Sequence, residues 1–252
     1  MFRMILPGIA CLLSFSVSAG VVIMGTRVVY PAQQKSINVQ LHNGDMAPSL
    51  VQAWMDTGEA SAPPDAVKVP FITTPPVFRM DPKSGQTLRV MYTREALPQD
   101  RESLFYLNVL DIPAKPDVRD NPTPAQDVNY LQLAVRSRIK FFFRPDHLTL
   151  SPDEAYDRVV WSLKKQASRV TLTADNRTPY FITYSQIAVH SAGKTLAVHQ
   201  PGMVAPWSSG EFPLDNNIPH AGRIAWTVIN DYGGYRQGES ELTQGPVRED
   251  VR

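Results

Sequence analysis

Apolar residues recur at every second position in several segments of this 252-residue chain, and no stretch holds a helical period of any length. A period of two puts alternate side chains on opposite faces of an extended strand. The stretch Tyr130–Pro145, YLQLAVRSRIKFFFRP, begins as a strict alternation and ends in three basic residues, the run Phe141-Phe142-Phe143 and Arg144-Pro145. Leu131, Leu133 and Val135 fall on one side there, with Gln132, Ala134 and Arg136 on the other. Ile37, Val39 and Leu41 repeat the pattern before an Asn43-Gly44-Asp45 turn, and Leu88, Val90 and Tyr92 repeat it after Lys83-Ser84-Gly85. Strands are also predicted over Gly20–Tyr30, Leu50–Asp56, Val67–Thr74 and Ser103–Ile112. Beyond Pro145 they are predicted over Arg158–Leu163, Arg169–Ala174, Tyr180–Val189, Thr195–His199 and Arg223–Asp231. Gly25 interrupts the first of these and predicts a bulge or a switch between sheets. Pro152–Tyr156 has room for one helical turn. Many short strands separated by Asn, Gly, Pro and Ser clusters predict an all-β chain of sandwiches. Two sandwiches of roughly a hundred residues fit the length. Their boundary falls at Arg144–His147, because Pro145 cannot continue a strand ladder.

Residues 1–19 read as an export signal: one positive charge at Arg3, an apolar run from Ile5 to Val17, and small residues ending at Ala19. That run is too short to span a bilayer. Cleavage near Ala19 removes Cys11, the only cysteine, and leaves a mature chain that must hold itself by packing rather than disulfides. It also leaves no thiol nucleophile and no cysteine metal site. The formal charge of +1 supplies no basic footprint for nucleic acid.

Catalytic signatures are missing. His42, His147, His190, His199 and His220 form no H-x-H or H-x-x-x-H pair, and no G-x-S-x-G, P-loop or G-x-G-x-x-G occurs. The reading is therefore of a protein that binds and is not an enzyme, with no metal and no cofactor. Arg27, flanked by apolar residues, is either a solvated edge residue or awaits an anion. Arg138 reads as a solvated strand residue. The segment Pro113–Asn129 carries four prolines and five charged residues and reads as a functional or disordered loop. The loop from Ala114 to Tyr130 is expected to be disordered in the free protein and ordered on binding a partner or by self-association.

Pro98-Gln99-Asp100-Arg101-Glu102-Ser103-Leu104-Phe105-Tyr106-Leu107-Asn108, followed by Ile112-Pro113, resembles a signature of the periplasmic pilus chaperones of the chaperone–usher pathway. So does Leu131-Gln132-Leu133-Ala134 running to Arg138-Ile139-Lys140-Phe141-Phe142-Phe143-Arg144-Pro145. Asn176-x-Thr178-Pro179-Tyr180 and Ile229-Asn230-Asp231-Tyr232-Gly233-Gly234 are similar to the family's second domain. Thr26-Arg27, Ala53-Trp54 and Thr74-Pro75-Pro76 are similar to its first. The resemblance covers essentially all of the mature chain.

It implies two immunoglobulin-like sandwiches in an L-shaped boomerang: residues 20–144 with a donor strand, and residues 145–252. It implies an ATP-independent periplasmic chaperone that completes pilus subunits by strand addition, prevents their aggregation and delivers them to an outer-membrane usher. Leu131, Leu133 and Val135 would fill the subunit groove. Arg27 and Lys140 would anchor the subunit's C-terminal carboxylate. Glu102, Arg144 and Asp231 would form a charge network between the domains. Lys140 lies five residues after Val135, so a regular strand points them to opposite faces; either the strand twists or bulges, or the subunit reaches both around the edge. The loop over Ala114–Tyr130 is longer than in short-loop members and lacks the cysteine pair of long-loop members, which leaves the subclass open. The exposed apolar row makes self-association of the free form a further expectation. The alternative is an exported two-domain adhesin or carbohydrate-binding module. It would need an exposed aromatic platform, whereas Trp54, Trp161, Trp207 and Trp226 are spread out and mostly lie in strand patterns, which points to core.

Overall fold

The structure is a computed structural model and describes residues 20–61, 63–64, 66–115, 131–166, 169–191, 193–214 and 222–243. The signal segment, His220 and most of the Pro113–Asn129 loop lie outside these residues.

The first domain contains β1 (Val21–Ile23), β2 (Arg27–Pro31), β3 (Ser36–Asn43), β4 (Ser49–Asp56), β5 (Phe71–Thr74), β6 (Val77–Met80), β7 (Gly85–Tyr92), β8 (Ser103–Pro113) and β9 (Val135–Arg144). They form a four-stranded sheet, β1-β3-β7-β5, against a five-stranded sheet, β2-β9-β8-β4-β6. Gly25 resolves as a switch between sheets: β1 and β2 lie in different layers, and the glycine's φ of 142° is one that L side chains rarely adopt. The predicted strand over Val67–Thr74 begins only at Phe71.

The aromatic run after Lys140 divides by parity. Phe141 and Phe143 point into the core, where Phe71 packs edge-on against Phe141 at 4.9 Å and against Phe105 at 5.0 Å. Phe142 points the other way and meets Phe181 of the second domain at 5.7 Å.

The second domain opens with α1 (Pro152–Tyr156), held by a capping box between Ser151 and Glu154. Then follow β10 (Val160–Gln166), β11 (Arg169–Asn176), β12 (Ile182–Ser191), β13 (Lys194–Ala197), β14 (Met203–Val204), β15 (Ser208–Leu214), β16 (Arg223–Ile229) and β17 (Tyr235–Thr243). The ladder runs β13-β12-β16-β17-β10-β11-β15, with β14 on β12. β17 joins the two layers: it is antiparallel to β16 over most of its length, and its end pairs in parallel with β10 at Trp161↔Leu242. Trp161 and Trp226 are core residues.

β14, β15 and β17 were not expected from the sequence. β17, YRQGESELT, is polar at nearly every position and buries only Leu242. Its Gly238 is where Trp226 lies across the strand: a Cβ there would sit 2.2 Å from the indole ring.

Candidate functional site

β9 is the element on which the site is built. β8 pairs with it in antiparallel register from Asp111↔Val135 to Ser103↔Phe143, without a shift. β2 pairs with its other edge in parallel, but only from Arg27↔Lys140 to Pro31↔Arg144. Among the described residues, Val135–Ile139 therefore has a neighbour on one side and an open edge on the other.

Arg27 and Lys140 are register partners, so their side chains leave the same face of the sheet side by side. That face turns toward the second domain. Arg27 Nη1 donates to the carbonyl of Ile229 at 2.7 Å, and the guanidinium lies 5.6 Å from the Phe142 ring centre. Its Nε is buried without a hydrogen-bond partner among the described residues. Lys140 Nζ donates to Thr183 Oγ1 at 3.2 Å. Burial, then the neighbouring Arg27 charge, push the Lys140 ammonium down to about 8. Burial also lowers Arg27, against the pull of Tyr156, Asp231 and Glu102. Neither cation has an ion-pair partner among the described residues. Two half-desolvated cations with donors to spare are suited to an anion, which would restore what burial removed. Thr183 and the Ile229 carbonyl belong to the second domain, so both domains build the site. Nothing in the local pattern around Thr183 singled it out beforehand.

Immediately behind lies the charge network. Arg144, the last residue of β9, donates through Nε to Glu102 Oε1 at 2.8 Å and through Nη1 to Asp231 Oδ2 at 2.6 Å. Its Nη2 reaches Asp231 Oδ1 at 2.9 Å. Glu102 is buried, and its second oxygen accepts from the Phe181 backbone N–H at 2.9 Å. Burial pushes the Glu102 carboxyl up, with Arg144 and that N–H opposing it. Burial alone would lower Arg144, but the two carboxylates outweigh it and raise it above its ordinary value. The structure thus brings together the three residues expected to join the domains.

Leu131, Leu133 and Val135 are 83 %, 62 % and 57 % exposed, a row of large apolar side chains without cover. Regular pairing starts only at Val135, so the expected strand over Leu131–Val135 is not yet part of the ladder at residues 131–134. The unshifted β8 register excludes a bulge between Val135 and Lys140, and the two leave opposite faces.

Arg138 departs from expectation: it is not a solvated strand residue. Its Nη2 and Nε bind Asp56 Oδ1 and Oδ2 at 2.5 and 3.1 Å, and its guanidinium lies 3.7 Å from the Tyr106 ring centre. Asp56, whose side chain is fully buried, was not singled out in the sequence. The available signal was two arginines on one strand face, at 136 and 138, which call for a counter-charge that a single sequence cannot locate.

Among the described residues no group of three or more His, Cys, Asp or Glu side chains is placed to hold a metal. No helix among them is long and apolar enough to cross a membrane.

Two packed sandwiches thus place a pair of cations between them, beside an open strand edge. Residues 20–149 match the pili and flagellar-assembly chaperone PapD N-terminal domain, and residues 154–240 match the pili assembly chaperone PapD C-terminal domain. The chain belongs to this family of pilus-assembly chaperones. It is 43 % identical over 230 residues to the chaperone protein HifB of Haemophilus influenzae, covering 91 % of this chain and 90 % of HifB. The crystal structure of the YadV chaperone superposes with a TM-score of 0.74 at 39 % identity, over 89 % of this chain and all of that one. The Salmonella enterica SafA pilin in complex with the SafB chaperone matches with a TM-score of 0.70 at 25 % identity, over 88 % of this chain and 96 % of that one.

Proposed function

We propose that this protein holds pilus subunits in the periplasm by strand addition along the open edge of β9, without ATP, keeps them from aggregating and passes them to an outer-membrane usher. The observation that carries the reading is the pair of unpaired cations, Arg27 and Lys140, standing where the open edge ends.

Direction follows from the ladder. β2 runs parallel to β9 and takes its edge from Lys140 onward. A guest strand running the same way along Leu131–Ile139 would end in line with the start of β2, and its terminal carboxylate would meet both cations. An antiparallel guest would bring an ammonium group to them and be repelled. A guest on the edge pairs in the sheet plane and touches side chains of both faces. Leu131, Leu133 and Val135 can then enter its groove while Lys140, on the other face, holds its end. Burying each of these side chains contributes roughly 1.5–3 kcal/mol before ordering costs are subtracted. The anchor fixes register, since a slip of one residue turns every side chain to the wrong face.

In the same reading, Arg144, Glu102 and Asp231 set the angle between domains that meet at Arg144–Pro145, residues 1–19 direct export, and the apolar row drives self-association when no subunit is bound. The test is co-purification with a candidate pilus subunit from the periplasm, comparing the native protein with Lys140→Ala and Leu133→Glu. The expected result is a one-to-one complex that both variants lose. Equal binding by all three would refute the assignment of edge and anchor.

A further inference from the structure

The half of β9 offered to a guest is the half least supported by the ladder, since Val135–Ile139 has one neighbouring strand among the described residues. A strand held on one edge frays, and a frayed strand must be ordered again before it can receive a guest. The structure supplies a second hold on this segment. On the face of β9 away from the core, Arg136 and Arg138 converge on Asp56 at the end of β4.

Asp56 Oδ1 accepts from the Gly58 N–H at 2.7 Å and from Arg138 Nη2 at 2.5 Å. Its Oδ2 accepts from Asn108 Nδ2 at 2.7 Å, Arg138 Nε at 3.1 Å and Arg136 Nη2 at 3.5 Å. Arg136 also donates through Nε and Nη2 to Asn108 Oδ1, at 3.0 and 2.7 Å, and through Nη1 to the Ala60 carbonyl at 2.5 Å. Both guanidinium groups lie against rings, Arg136 on Trp54 at 4.9 Å and Arg138 on Tyr106 at 3.7 Å. One carboxylate with no solvent exposure thus ties β4, β8 and β9 together across the sheet, at the level where β9 lacks its second neighbour. Burial would raise that carboxyl, but Arg138, Asn108 and the Gly58 N–H outweigh it and hold it below the ordinary carboxylate range.

We propose that Asp56 is a positioning residue for subunit capture: through Arg138 and Arg136 it holds the open-edged half of β9 flat against β8, so that a guest strand meets an edge already in register. Asp56 touches no guest itself. The inference rests on the strand-addition reading.

The test uses the full chain carrying Asp56→Asn. The double variant Asp56→Asn with Arg138→Gln removes the more buried of the two cations together with the carboxylate, leaves Arg136 hydrogen-bonded to Asn108 and the Ala60 carbonyl, and guards against misfolding. The first readout is residue-resolved amide exchange on the free protein. Val135–Ile139 should exchange about tenfold to a hundredfold faster, the loss expected of charge-assisted hydrogen bonds, while amides of Leu107 and Phe141 keep their protection. The second readout is association with a synthetic peptide of alternating apolar and polar residues ending in a free carboxylate, which should slow by about tenfold. Faster exchange spread evenly over the domain would assign Asp56 to general stability and overturn the proposal. So would unchanged exchange at Val135–Ile139, or peptide association at the native rate in a background where Lys140→Ala abolishes it. If Lys140→Ala leaves peptide binding intact, the strand-addition reading fails instead, and the exchange measurement still decides whether Asp56 holds β9.

Discussion

The proposed anchor role makes Lys140 a titratable device whose response to pH can be worked out. In the free protein the ammonium sits at about 8, lowered by burial and by Arg27. A bound carboxylate favours the charged form and raises the group back toward its ordinary value of about 10.5. Binding therefore takes up a proton between pH 8 and 10.5, and affinity for a carboxylate-ended strand falls across that window. With a free value of about 8, about nine-tenths of Lys140 is charged at pH 7 and about one-tenth at pH 9, a tenfold loss of affinity or ~1.4 kcal/mol. Lys140 is partly open to solvent, and screening reduces the loss to about three- to tenfold. The stability of the free protein moves the opposite way. Its folded-state value is depressed, so the cost of holding the charged amine is fully present below pH 8 and is relieved as pH rises toward 10.5. The assay is fluorescence anisotropy of a labelled strand peptide between pH 7 and 9, run as free carboxylate and as C-terminal amide. Lys140→Arg, which stays charged throughout, should bind the carboxylate peptide with a flat profile. A flat profile in the native protein, or an equal fall for the amide, would refute the anchor role of Lys140.

Three further outcomes follow from the geometry. Arg144→Ala leaves Glu102 buried without its charge partner and should cost about 3–5 kcal/mol in denaturant unfolding, far more than loss of an exposed pair. Gly238→Ala drives a methyl into the Trp226 ring and should destabilise the second domain by about 1–3 kcal/mol, read by calorimetry, with the first domain's transition unmoved. Gly233 has φ 82°, and a Cβ there would stand 2.5 Å from Thr26 Oγ1 across the domain junction. Gly233→Ala should therefore change the interdomain angle, read by small-angle scattering, and weaken the carboxylate peptide through the displaced Ile229 carbonyl.

The first domain was the more legible in sequence because its strands face water on one side. Ile37, Val39 and Leu41 alternate and become β3, with Val39 and Leu41 buried. β17 escaped because its contribution is backbone pairing and a glycine that makes room for an indole, neither of which leaves an apolar signal. Arg27 and Lys140 stood out as basic residues among apolar ones. That they meet is a property of the β2–β9 register, which the family motifs implied and local pattern did not. The Asp56 cluster was invisible for the opposite reason. A single aspartate closing Ala53-Trp54-Met55 reads as a strand end, and its worth depends on two arginines distant in sequence.

Because β2 occupies the edge of β9 from Lys140 onward, a guest cannot continue past that point without leaving the sheet. In the proposed reading, the open edge at Val135–Ile139 would be extended by residues 131–134 on binding into a slot of roughly 30 Å, at about 3.3 Å per residue, closed at one end by backbone. If the proposed anchor holds, a closed slot with cations at its stop would distinguish the end of a polypeptide from its middle. It would accept a subunit whose synthesis has finished and refuse an internal stretch of the same sequence or a chain still carrying extra residues. Checking that a chain is complete would thereby be built into the act of holding it. Peptides extended by two residues beyond the terminal carboxylate should lose most of their affinity; undiminished binding would show that the slot is open at its end.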